Sequence, residues 1–184
     1  MKLIFELDNI KIWGEEICLQ PDEPMRAAEQ RTAAEMVRSI FGPDFAIDHN
    51  TDGAPEVHGT GAEISVSHGA GMVIIAVAPE GHHIGVDIEA PRPQLQRVAR
   101  RFVSADDSAS LSLLQLWTGK EAAFKAAGIS GLYISDIPIT GSGSSAVAHL
   151  PDGRLLSVHY HDMPERSLIA LAEGGDGSPA GSKP

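Results

Sequence analysis

The chain of 184 residues is poor in cysteine, in positive charge and in long apolar runs, and each shortage excludes a class of protein. Cys18 is the only cysteine, which rules out an internal disulfide and any multi-cysteine zinc site; it reads as a small buried residue. Fourteen Lys and Arg against 25 Asp and Glu give a net charge of −11. A nucleic-acid binder needs excess positive charge to displace counterions, and a membrane-surface protein needs it to meet anionic lipid, so neither class is expected. The longest apolar run, Met72 to Pro79, is too short to span a bilayer. The opening Met1-Lys-Leu-Ile-Phe-Glu-Leu-Asp8 sets acids where a signal peptide needs an apolar core, so the expected setting is the cytoplasm.

The few cations are clustered. Arg26, Arg31 and Arg38 lie in one early segment, Arg92, Arg97, Arg100 and Arg101 lie in another, and none occurs from Ser39 to Pro91. Two local positive patches on an acidic body can attract anions over about a Debye length.

Periodicity gives a coarse map. Residues Met1 to Leu19 read as one or two strands, with Leu3, Phe5 and Leu7 alternating with polar neighbours. A helix is expected from Asp22, as cap, through Pro24 to Phe41, ended by Gly42-Pro43. Strands follow at Ala46 to Asn50, Ala62 to Ser67 and Met72 to Ala78, the last apolar on both faces and therefore central. In the strand Ile84 to Glu89, Ile84, Val86 and Ile88 point one way and Gly85, Asp87 and Glu89 the other. A helix from Pro93 to Phe102 gathers Arg97, Arg100 and Arg101 away from its apolar stripe. Ser104 and Asp107 suggest a capping box opening a helical stretch to Gly128, broken near Gly119. Strands at Tyr133 to Thr140, Ala146 to Leu150, Arg154 to His161 and Ser167 to Ala172 complete the pattern, and Glu173 to Pro184 reads as a disordered tail. The order suggests an α+β protein of two related α/β lobes, residues 1–83 and 84–172, with a cleft between them as the binding site.

Chemistry concentrates on three acids. Asp87 and Glu89 share a strand face, roughly 7 Å apart at the backbone, and Glu121 lies beside the inward stripe of the later helix. Lys125, at i+4, offers Glu121 a surface ion pair worth about 0.3–0.5 kcal/mol. The alternative joins Asp87, Glu89 and Glu121 around a hard cation; oxygen-only donors favour Mg²⁺, which completes its shell with waters and phosphate oxygens. Lys120 and Lys125 bracket Glu121 and suit a bound pyrophosphate, although solvent exposure fits Lys120 better. His68 ends the strand Ile64-Ser-Val-Ser-His68 and could donate to a phosphate. The pairs His82-His83 and His159/His161 have no third ligand at a recognisable spacing and read as surface residues.

Gly85-Val-Asp-Ile-Glu89 followed by Trp117-Thr-Gly-Lys-Glu-Ala-Ala-Phe-Lys125 resembles the paired signature of the 4'-phosphopantetheinyl transferase superfamily. Ile64-Ser-Val-Ser-His68, Arg100-Arg-Phe-Val-Ser104 and the early arginine-bearing helix before Gly53-Ala54-Pro55 reinforce it, so the resemblance covers most of Asp22 to Gly128. Their order is similar to the single-chain, surfactin-synthetase-activating type, in which two similar lobes form a pseudo-dimer within a monomer. The resemblance implies transfer of phosphopantetheine from coenzyme A to a serine of an acyl or peptidyl carrier protein, releasing 3',5'-ADP. It implies that Asp87, Glu89 and Glu121 hold Mg²⁺ with the pyrophosphate, that Lys125 contacts the phosphates, and that Ser67 and His68 contact the phosphoadenylate end. Glu121 is placed to help deprotonate the serine, directly or through water. The family's Gly-Lys-Pro segment reads Gly53-Ala54-Pro55 here, leaving Arg26 or Arg31 to supply the missing cation. Asp87 and Glu121 are only 34 residues apart, a short interval for the type, and Asp106-Asp107 stand where a Glu commonly follows the Phe-Ser element. Carrier proteins are typically acidic, and the Arg97, Arg100, Arg101 face offers a docking surface. A Mg²⁺-dependent phosphohydrolase using the same acids, and a silent carrier- or coenzyme-binding protein, are the rival readings.

Overall fold

A computed structural model describes residues 1–174 and gives an α+β fold with three antiparallel sheets. The first sheet has the order β1-β2-β6-β5, from β1 (Lys2–Leu7), β2 (Ile10–Glu16), β5 (Ala62–Gly69) and β6 (Met72–Pro79). The second has the order β7-β11-β10-β9-β8, from β7 (His83–Glu89), β8 (Ile139–Ser142), β9 (Ser145–His149), β10 (Leu155–Asp162) and β11 (Leu168–Gly174). Strands β3 (Asp48–His49) and β4 (Pro55–Glu56) form a separate two-stranded piece. Helix α1 (Met25–Phe41) covers the first sheet and α3 (Leu113–Ala127) the second; α2 (Gln94–Val98) is a short connector.

Strand alternation stacks these elements in four layers, α1, first sheet, second sheet, α3. Val73 and Ile75 of β6 pack toward Ala33, Met36 and Val37 of α1, whereas Ile74, Ala76 and Ala78 pack toward the second sheet. On β7, Ile84, Val86 and Ile88 join that central layer with Ile10 and Ile12. On β11, Ile169 and Leu171 face inward and Leu168, Ala170 and Ala172 face α3. Strand β6 lies inside its sheet and is buried on both faces, which is why it reads as an unbroken apolar run. The Ala70-Gly71 turn before it has positive φ at both residues, the geometry that keeps a two-residue hairpin in twist.

The two sheets meet along their edge strands β5 and β7. Ser65, Ser67 and Gly69 alternate on one side of β5 and face β7: the Val86 N–H donates to Ser65 Oγ at 3.0 Å, and a Cβ at Gly69 would run into the Ile88 carbonyl. Gly85 plays the same part on the other side of β7, where a Cβ would strike the Ala122 carbonyl of α3. Small residues thus let three elements close on one short stretch of β7.

Several expectations are corrected. Helix α1 starts at Met25 with Pro24 as cap and no side-chain cap; Asp22 adopts a positive φ instead. The entry is braced by Arg31, which donates to both Glu23 oxygens at 2.8 and 2.9 Å and to the Cys18 carbonyl at 2.8 Å. That fork draws the Glu23 carboxyl down to about 2. Cys18 itself is exposed. The expected helix over Pro93 to Phe102 is only α2 followed by a 3-10 turn at Ala99–Arg101, and Ser104 to Asp107 starts no helix. The true capping box is Ser112 with Gln115, and α3 runs unbroken through Gly119, whose missing Cβ makes room for the Tyr160 hydroxyl. Pro138 lacks the N–H of a ladder residue, and the strand expected over Tyr133 to Thr140 gives way to β8; the strand expected over Ala46 to Asn50 shrinks to the two-residue β3, which faces Pro55 of β4, another residue without an N–H. Glu173 and Gly174 belong to β11 and not to a tail; the rest of the expected tail lies outside the described residues.

Lys120 is the largest departure. Read as exposed, its side chain is 0% exposed and pairs with Asp107 Oδ2 at 2.7 Å while donating to the Phe102 carbonyl at 2.7 Å. Asp107 also accepts the backbone N–H groups of Ser104 and Ile139. The pair therefore ends the 3-10 turn and clamps segment 102–107 onto α3 and β8, using the acid that the sequence offered as a helix cap. Removing one member of such a buried pair leaves the other charge uncompensated. Lys120→Met should cost about 3–5 kcal/mol in urea denaturation. Adding Asp107→Asn, which removes the stranded charge and keeps an acceptor, should recover at least about 1 kcal/mol; strictly additive losses would contradict the pairing.

Candidate functional site

Asp87 stands where β5, β7 and α3 converge. It is 7% exposed, and its Oδ1 accepts from Ser67 Oγ at 2.7 Å and from Lys125 Nζ at 2.9 Å. Lys125 also donates to the Val86 carbonyl at 2.8 Å, so the ammonium reaches across the α3–β7 interface. The expected i,i+4 pair of Lys125 with Glu121 is replaced by this tertiary one. The other oxygen, Asp87 Oδ2, is buried and has no hydrogen-bond partner among the described residues. An orphaned carboxylate oxygen is costly, and a donor or a cation would relieve it.

Glu89 sits at the end of β7 with a different set of partners. Its Oε1 accepts from the Trp117 indole at 2.8 Å and from Arg92 at 2.9 Å, and the Arg92 guanidinium lies 5.9 Å from the Trp117 ring centroid. Trp117 in turn meets Phe102 edge-on at 5.1 Å. Sequence reasoning missed Arg92 and Trp117 as partners of Glu89; the signal was a half-buried indole N–H that needs an acceptor.

Glu121, half-buried on α3, completes the group. Burial raises its pKa from the ordinary 4.5, and the negative charge of Asp87 raises it further; Lys125 opposes the shift and Glu89 adds to it. Burial likewise raises Glu89, with Trp117 and Arg92 working against it and Asp87 with it. The three acids thus share one electrostatic field. Among the described residues, no group of three or more His, Cys, Asp or Glu side chains is gathered into a ready metal shell. The donor set still fits a hard cation. One oxygen is orphaned, two neighbouring carboxyls are poorly solvated in the charged form, and every candidate ligand is an oxygen.

Next to this group opens a cleft of about 800 Å³ between α1, the loop carrying Ala54, β5 and the end of α3. Lys125, Arg26, Glu29, His68 and Phe124 line it, together with the Gly128–Gly131 loop. Lys125 is the link, because its ammonium touches Asp87 and its stem borders the cleft. Of the other residues read from the sequence, Arg26 and His68 are on the cleft wall, with His68 Nδ1 3.2 Å from Glu29 Oε1. Ser67 is turned away to Asp87 and is 6% exposed. Arg31 is outside the cleft altogether, held by Glu23, so of the two early arginines only Arg26 can meet a ligand there. Arg97, Arg100 and Arg101 are exposed on α2 and the turn after it.

The shifted acids fix a pH dependence. Between 4.5 and the raised native values the folded state binds more protons than the unfolded one, so their contribution to stability is present below 4.5 and lost as pH rises. A divalent ion should relieve this charge. In thermal denaturation, the rise in Tm on adding Mg²⁺ is expected to grow with pH through this window and to be smaller in Glu121→Gln; a Mg²⁺ effect identical in the two proteins at every pH would contradict it. The chain matches no protein-family model, and no curated protein is significantly similar to it.

Proposed function

We propose that the protein transfers the 4'-phosphopantetheine group of coenzyme A to a serine of an acyl or peptidyl carrier protein. The observation that carries this reading is the junction at Lys125, where one ammonium joins the Asp87, Glu89, Glu121 group to a cleft large enough for a nucleotide. The two motifs that resemble the paired signature of the 4'-phosphopantetheinyl transferases, Gly85 to Glu89 and Trp117 to Lys125, are carried by the strand and the helix that meet there.

In this reading Asp87, Glu89 and Glu121 hold Mg²⁺, which when bound supplies positive charge to the diphosphate oxygens. Lys125 neutralises the same oxygens from the cleft side. Glu121, with its raised affinity for a proton, takes the proton of the carrier serine. The serine oxygen forms a bond to the phosphorus that bears pantetheine. The bond from that phosphorus to the bridging oxygen breaks, and 3',5'-ADP leaves with the electron pair. Ser67 orients Asp87 through Oδ1 and leaves Oδ2 without a partner among the described residues.

The pseudo-dimer belongs to the same proposal and is supported by connectivity. In the first half, β2 precedes α1 and pairs with β6, which pairs with β5. In the second half, β7 precedes α3 and pairs with β11, which pairs with β10. Both halves thus place the last strand, antiparallel, between the strand before the helix and the penultimate strand, and the chain acts as a monomer with the site where the two meet. The acidic carrier docks on the Arg97, Arg100, Arg101 face.

Intact mass of apo carrier proteins after incubation with this protein, coenzyme A and Mg²⁺ tests the reading: the phosphopantetheine increment should appear, and product released without carrier would favour a phosphohydrolase. Glu121→Gln should lower kcat by about 10²–10⁴-fold while coenzyme binding persists. Reversing Arg97 and Arg101 to Glu should raise KM for the carrier more than KM for coenzyme A, and equal effects would reject the docking face.

A further inference from the structure

Each strand acid of the site spends one oxygen on the protein and keeps the other back. Asp87 Oδ1 accepts from Ser67 Oγ at 2.7 Å and from Lys125 Nζ at 2.9 Å, while Oδ2 accepts from nothing among the described residues. Glu89 repeats the pattern, and both of its side-chain hydrogen bonds end on Oε1, from the Trp117 indole at 2.8 Å and from Arg92 at 2.9 Å. A carboxylate oxygen has two lone pairs, so two donors fill Oδ1 and Oε1 and leave them nothing for a cation. The donors are themselves braced. Lys125 also donates to the Val86 carbonyl, the Arg92 guanidinium lies over Trp117 at 5.9 Å, and Trp117 meets Phe102 edge-on at 5.1 Å. Phe102 is buried, and its carbonyl is held by Lys120.

Divalent cations differ in what they ask of such acids. Ca²⁺ gathers about six to eight oxygens and readily takes both oxygens of one carboxylate, whereas Mg²⁺ holds a tight octahedron, keeps several waters and binds one or two carboxylates. Here the protein offers one oxygen each from Asp87 and Glu89 and at most two from Glu121, which feels the charge of both. Resting on the reading that these acids hold the divalent ion, we infer that Ser67 and Arg92 are specificity-determining residues for that ion. By filling Oδ1 and Oε1 they confine Asp87 and Glu89 to one-oxygen ligation, which suits the site to Mg²⁺ or Mn²⁺ and sets it against Ca²⁺. Neither residue touches the ion; each acts through the acid it caps. When either is removed, Lys125 or Trp117 still holds the capped oxygen, and a single lone pair opens on it.

Titration calorimetry of the full chain with Mg²⁺ and with Ca²⁺ reads this preference without turnover. The unmodified protein should bind Mg²⁺ at least as tightly as Ca²⁺. Arg92→Met and Ser67→Ala should each shift the ratio of the two affinities toward Ca²⁺ by about tenfold. Removing the Arg92 charge strengthens the pull on both divalent ions alike, so the ratio reads geometry. Arg92→Lys, which keeps a charged donor, should hold the ratio of the unmodified protein. Ca²⁺ bound tighter by more than about threefold in the unmodified protein, or an unmoved ratio in either folded variant, would overturn the inference and leave the transferase reading in place. An Arg92→Lys ratio shifted as far as that of Arg92→Met would do the same. Binding of neither ion would remove both. Arg92 is 47% exposed, so its variants keep the test open even if loss of the buried Ser67 hydroxyl disturbs folding.

Discussion

One buried carboxylate ties the architecture to the chemistry. Asp87 receives a hydroxyl from the first sheet and an ammonium from the helix covering the second, so two sheets and a helix are fixed by contacts to a single oxygen atom. In a low-dielectric setting these charge-assisted bonds hold position strongly, and they work only if β5, β7 and α3 approach closely. Gly69 and Gly85 permit that approach by leaving space where a Cβ would meet backbone. The remaining oxygen has no hydrogen-bond partner among the described residues, and leaving one side of a buried carboxylate bare costs free energy that a donor or a cation would relieve.

Two ion pairs on α3 divide the labour. Lys120 points into the protein, neutralises Asp107 and fixes the segment that ends the arginine-bearing turn. Lys125, on another side of the helix, serves Asp87 and borders the cleft. Glu121 lies between them in sequence, and burial disfavours its charged form. The helix commits one lysine to Asp107 and the other to Asp87, and Lys125 only partly offsets the burial of the intervening Glu121. That arrangement leaves Glu121 inclined toward a proton or a cation.

The helix and strand types, the apolar centre at β6 and the inward and outward faces of β7 were legible because each rests on local periodicity. The grouping of Asp87 with Lys125 was legible in part: Lys125 was read as the cation of the site, but its partner is the strand acid and not the helix neighbour. Arg31 and Lys120 were misplaced for a common reason. A cation on a helix looks solvated until a distant carboxylate, Glu23 or Asp107, is folded onto it, and neither pairing has a periodic signature. Ser104 and Asp107 mimicked a capping box because the same short side chains that cap helices also terminate turns.

By itself, then, the chain's residue order determined most of the segments that form strands and the two long helices, which strand faces are apolar, and that acids and lysines recur on segments able to meet. Those properties depend on neighbours within a few positions. Only the tertiary structure decided which lysine is buried, which oxygen of Asp87 is bare, and that Glu29 shares a cleft wall with His68. Those outcomes depend on how closely whole elements approach, and that is set by packing between residues far apart in the chain.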